Sequence, residues 1–204
     1  MSFINAYIVI ELIMKKHLLL IFSVSLFFKS FVQQRYFTQE IPINKKEFNR
    51  HLPPYNFLTK SLRIFKIKGT IKIKTPKRTI TLTDDGEMLQ YRYEGDLRNT
   101  PLILIHELEP NSEEYYFINR HTGTIDTLLD RPIFYLNGTD IVCLEGSATD
   151  RKQRIQIGKI QNGRFATKAY FVLSEGIYPD YVYWFDNNTL YMEDNTKKFY
   201  KLQF

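Results

Sequence analysis

The chain has 204 residues, 44% hydrophobic and 15% aromatic, and its 28 Lys and Arg against 22 Asp and Glu give a formal net charge of +6. One cysteine, Cys143, excludes an internal disulfide framework, and the length left after the opening stretch suits one domain that buries most of its apolar surface. Basic residues crowd between Gln33 and Ile80, where twelve of them face only Glu40 and Glu47, while acids outnumber bases further on; this split argues against a general nucleic-acid binder.

Residues 14–34 read "MKKHLLLIFSVSLFFKSFVQQ". Lys15 and Lys16 make a basic head, Leu18 to Phe28 an apolar stretch broken by Ser23 and Ser25, and Ser30 and Val32 fit a cut ahead of Gln33. The stretch resembles bacterial Sec signals that end "SFAQ". Residues 1–32 are therefore expected to be a signal peptide, with Met14 as the true start and residues 1–13 an upstream extension. An uncleaved anchor is the alternative, although a span needs about 20 apolar residues and this run is shorter. The expected location is secreted or periplasmic.

Residues 33–61 hold paired prolines and no steady period, which predicts an extended lead-in with a helical turn near "NKKEFNR". From Leu62 to residue 204 the pattern predicts a single all-β domain. In "FKIKGTIKIKT" the odd positions Phe65, Ile67, Ile71 and Ile73 are apolar, and the even positions Lys66, Lys68, Lys72 and Lys74 are basic. Read as one strand, this puts the apolar residues on an inward face and a row of lysines on the other. Pro76, Lys77 and Arg78 break the run before "TITLT", predicting an antiparallel hairpin. Short strand-like runs follow to the end, from "EMLQYRY" and "PLILIHELE" to "DYVYWF" and "KFYKLQF", separated by turn formers such as "HTG", "QNG" and "DNN". They predict antiparallel meanders, arranged as propeller-like blades or as an open sandwich or barrel.

Three segments share one form: an apolar lead, an Asx-rich or Gly-containing turn, then an alternating strand. They are 82–95, 134–147 and 183–195, in which Asp85, Asn137 and Asp186 correspond, as do Leu89, Ile141 and Leu190. "RPIFYLNGTDIVCLEG…RIQIGKIQNGR" and "DYVYWFDNNTLYMED…KKFYKLQF" resemble the WD40-like repeats of TolB-type β-propellers found in small secreted bacterial proteins. Asn137-Gly138 and Asp186-Asn187-Asn188 stand where those repeats carry Pro-Asp-Gly. The resemblance implies repeated four-stranded units, and three of about 50 residues imply an open array rather than a ring.

Two surfaces are candidate sites. Lys66, Lys68, Lys72 and Lys74, with Arg63 nearby, form an anion-surface candidate; Tyr181, Tyr183, Trp184 and Phe185 form a partner-surface candidate, Tyr183 and Phe185 pointing one way and Trp184 the other. No catalytic set, metal set or cofactor motif is read from the chain: His51, His106 and His121 lack zinc spacing, and Cys143 lies in the apolar run "DIVCLEG". The expected function is that of an exported, non-enzymatic β-sheet binding or interaction protein. Its expected partner is a protein, a glycan or an anionic envelope surface, with transient membrane contact and no nucleic acid. A secreted hydrolase with an unrecognised carboxylate pair, or a periplasmic inhibitor or immunity protein, is the alternative.

Overall fold

The computed structural model describes residues 34–36, 39–61, 63–145 and 153–204, so the expected signal, residues 1–32, lies outside the described residues. In chain order come β1 (Gln34–Tyr36), β2 (Gln39–Ile43), the helix α1 (Lys45–Phe48) and β3 (Leu58–Thr59). The helical turn falls within "NKKEFNR": Asn44 caps it, its Oδ1 accepting from the Glu47 amide at 2.9 Å. Next, β4 (Lys66–Ile67), β5 (Thr70–Lys74) and β6 (Thr79–Thr83) make a first sheet. A second is the meander β7 (Gln90–Leu97), β8 (Leu102–Glu109), β9 (Ser112–Asn119) and β10 (Ile125–Leu128), with β3 beside β7.

The third sheet is β11 (Ile133–Phe134), β12 (Asp140–Leu144), β13 (Arg154–Gln161) and β14 (Arg164–Val172), with β1 added parallel to β14. The fourth is β15 (Pro179–Asp186), β16 (Thr189–Asp194) and β17 (Phe199–Gln203), completed by β2 antiparallel to β17. The protein is thus all-β, built from antiparallel meanders, and none of the four sheets closes into a barrel. Strands of the segment expected as a lead-in finish the edges of the second, third and fourth sheets. No helix of the described residues is long and apolar enough to cross a membrane.

Successive sheets pack face to face, and the strand sequences say why. In "LILI" of β8 every residue is buried, because Ile103 and Ile105 pack on Ile71, Ile73 and Ile80 of the first sheet while Leu102 and Leu104 pack on Ile141 and Phe165 of the third. A strand covered on both faces reads as a continuous apolar run instead of an alternating one. β12 behaves alike: Ile141 and Cys143 face the second sheet, and Val142 joins Ile157, Phe171, Trp184, Leu190 and Met192 between the third and fourth. Polar bonds lock the same joints. Asp126 Oδ2, buried on β10, accepts from the Phe165 amide at 2.9 Å and pairs with Arg164, and Asn119 Nδ2 donates to Gly163 O at 2.6 Å. At the β13 bulge, a Cβ on Gly158 would lie 2.4 Å from the Phe165 ring, so only glycine lets that ring close over the strand.

Two of the three segments aligned in sequence are equivalent in space. The described part of the first, residues 134–145, and the segment 183–195 open the third and fourth sheets as hairpins, with Asn137 Oδ1 accepting from Thr139 N at 2.9 Å and Asp186 Oδ1 from Asn188 N at 2.8 Å. The segment 82–95 differs. It runs from β6 through a tight Asp85–Leu89 loop into β7, so Leu89 precedes a first strand whereas Ile141 and Leu190 sit on second strands.

The first sheet also corrects the sequence reading. "FKIKGTIKIKT" is two strands, because Lys68 (φ 49°) and Gly69 (φ 73°) form a two-residue turn in the left-handed region. That turn pairs Ile67 with Thr70 and Lys66 with Ile71. Directly opposed residues share a face, so parity reverses across the turn. Ile71 and Ile73 are buried as expected, but Phe65 and Ile67, expected inside, are 61% and 58% exposed. The hairpin at Pro76–Arg78 is present, closed by Thr75 N donating to Arg78 O at 3.0 Å.

Candidate functional site

The expected lysine row is broken by that turn. Lys72 and Lys74 on β5 point outward with Thr79 and Thr81 of β6, all exposed. Lys68 occupies the turn itself, and Arg63 is exposed beside the short β4. Lys66 is on the opposite side, where its ammonium pairs with Asp84 and donates to Tyr91 O at 2.9 Å. Burial pushes the Asp84 carboxyl up, but the hydrogen bonds from Lys66 and the Tyr91 amide outweigh it and hold the group below its usual value.

The turn does not stand alone. Asp84 N donates to Gly69 O at 2.9 Å, joining it to the Asp85–Leu89 loop, whose Met88 is 65% exposed. Phe65, Ile67 and Met88 therefore stand out near lysines at one corner of the protein, a combination the sequence pattern hid. Its available signal was the "KG" pair between two alternating runs, a hairpin turn read as part of a strand. Behind the corner lies a groove of about 520 Å³ walled on one side by Lys60, Ser61, Ile64 and Lys66 and on the other by Tyr91 and Tyr93. Lys60 Nζ sits 5.5 Å from the Tyr93 ring centroid and donates to Tyr93 O at 2.7 Å. The Tyr93 hydroxyl, pushed up to about 12 by burial and by its bond to Asp96, stays protonated and donates at 2.6 Å.

The aromatic candidates are split between two faces of β15. Trp184, expected on a partner surface, is 3% exposed in the core between the third and fourth sheets, with Nε1 donating to Ile133 O at 3.0 Å. Tyr183 and Phe185 point the other way, as alternation requires, but their rings are already in contact: Tyr183 with His51 at 4.1 Å and Phe185 with Tyr191 at 4.6 Å. Tyr181, 52% exposed, is the open member of the set, with Lys197 Nζ 5.9 Å from its ring centroid.

A titratable cluster gathers around His106 of the second sheet. His106 is buried, stacked on Tyr115 at 4.2 Å, with Nε2 2.9 Å from Glu113 Oε2. Burial pushes the nearby Asp130 carboxyl up, with Glu113 adding to it, and burial likewise raises the Cys143 thiol. A fully buried thiol held protonated is not a nucleophile. Among the described residues no group of three or more His, Cys, Asp or Glu converges as a metal site. Comparison with known proteins finds no matching family model, no similar curated protein and no similar solved structure.

Proposed function

We propose that this chain is an exported binding protein without chemistry of its own, an open array of blade-like sheets that meets an acidic partner of the cell envelope through the corner of its first sheet. The observation that carries the reading is the exposure of Phe65 and Ile67 among Lys68, Lys72 and Lys74, on a sheet face with exposed side chains along both β5 and β6. Exposed apolar side chains rimmed by charge mark contact sites. Each apolar side chain, once covered, contributes about 1.5–3 kcal/mol. The lysines add salt-dependent attraction that falls off over a Debye length of about 8–10 Å.

Capture from a native envelope extract tests it, comparing the unaltered chain with a variant carrying Phe65→Ser, Ile67→Ser, Lys72→Gln and Lys74→Gln. The expected result is a partner eluted by salt and missing from the variant. Identical captures by both chains would end the proposal.

A further inference from the structure

β7 is paired on one side for only part of its length. β3 covers Leu97 and Asp96, and from Gln90 to Glu94 no described strand lies on that side. The backbone groups left there are met by side chains instead. Lys66 Nζ donates to Tyr91 O at 2.9 Å, Lys60 Nζ donates to Tyr93 O at 2.7 Å, and Asp84 Oδ1 accepts from the Tyr91 amide at 2.9 Å. Positions two apart are those a strand presents to one edge. Each ammonium thus sits where the N–H of a neighbouring strand would sit, on a flexible stem that can swing away. The groove of about 520 Å³ opens along this edge, inside the range of about 300–1,000 Å³ usual for ligand sites.

We propose that this edge takes an extended acidic peptide, which adds to the second sheet as a strand beside β7; the inference rests on the reading of an acidic partner and names how that partner is held. The peptide's N–H groups replace the two ammoniums at Tyr91 O and Tyr93 O, and the freed Lys60 and Lys66 pair with its carboxylates. Backbone bonds supply affinity in this mode, and alternate side chains supply selectivity. Charge fits the occupant: Lys60, Lys66 and Arg92 line the groove with Glu94, and the one further acid at this edge, Asp84, pairs with Lys66, so the basic groups remain in excess. A lipid surface lacks N–H donors at strand spacing and cannot replace the ammoniums on these carbonyls in register.

The probe is a fluorescent nine-residue peptide of alternating Glu and Val, titrated against the full chain, with two versions N-methylated at its odd or at its even positions. One strand edge uses the N–H groups of alternate residues, so one methylated version should lose at least about tenfold in affinity while the other binds like the parent. Residues 90–94 should also gain protection from hydrogen exchange. In a Lys60→Gln, Lys66→Gln variant checked for folding by circular dichroism, the Glu-Val peptide should weaken while a Ser-Val peptide gains. Equal binding by both methylated versions, or no binding by the parent, overturns the inference. If phosphatidylglycerol vesicles bind where the peptide does not, the edge inference falls and the corner contact stands. If envelope capture is also indifferent to the corner, both fall.

Discussion

The fourth sheet and the first lie at opposite ends of the packing order, and their outer faces are finished in opposite ways. The outer rings of the fourth are occupied from within the chain: α1 brings Phe48 against Phe199 at 4.7 Å and Tyr183 at 5.8 Å, His51 stacks on Tyr183, and β2 pairs with β17. The first has three strands and exposes threonines, lysines and the side chains of Phe65 and Ile67. Aromatic content is therefore a poor guide to exposed apolar area here. The aromatic end leaves Tyr181 and Ile41 exposed, and the lysine-rich end carries the three most exposed large apolar side chains, Phe65, Ile67 and Met88.

The largest test of this contrast is a pair of changes on the first sheet. Ile71→Asp buries an unpaired charge on the inner face and should cost more than about 4 kcal/mol in urea unfolding. Ile67→Asp, four residues away, should stay within about 0.5 kcal/mol of the unaltered chain; a large loss there would mean that the outer face is covered. At the other end Phe48→Ala should cost about 3 kcal/mol, because it removes the ring under which Tyr183, His51 and Phe199 gather. A thermal melt no lower than that of the unaltered chain would show that α1 does not hold the fourth sheet.

A smaller loss, about 1–3 kcal/mol, is expected for Asp194→Ala in the fourth sheet. Asp194 Oδ1 accepts from Thr196 N at 2.9 Å and Lys198 N at 2.9 Å, and Oδ2 from the Tyr200 hydroxyl at 3.3 Å. Burial pushes its carboxyl up, but these bonds together hold it below the usual 3.8. A lowered folded-state value means stability that is present above about pH 4 and lost as pH falls through the folded value. Asp194→Asn should therefore differ from the unaltered chain at pH 6 and converge with it in acid, measured as the urea midpoint at each pH. Smallest of all, Lys72→Gln with Lys74→Gln should leave the melt within about 0.5 kcal/mol, since exposed lysines contribute little to folding.

Periodicity disclosed the strands, and the continuous run "PLILI" carried the signature of a strand covered on both faces. It could not disclose the facing of β4. A two-residue turn makes residue i oppose residue i+3, which exchanges odd for even positions, so the apparent alternation from Phe65 to Thr75 is continuous in sequence and reversed in space. Trp184 shows a second limit. Alternation separated it from Tyr183 and Phe185, but a single strand does not tell which of its faces meets the core; that was decided by β12 and β13 of the neighbouring sheet. The groove was illegible for the same reason, since Lys60 and Tyr93 meet only because β3 stops after two residues.

The pairing of Gln39 with Gln203 has a temporal meaning. β2 and its strand partner β17 stand far apart in the chain, so the fourth sheet stays incomplete until both have left the ribosome, whatever has folded between them.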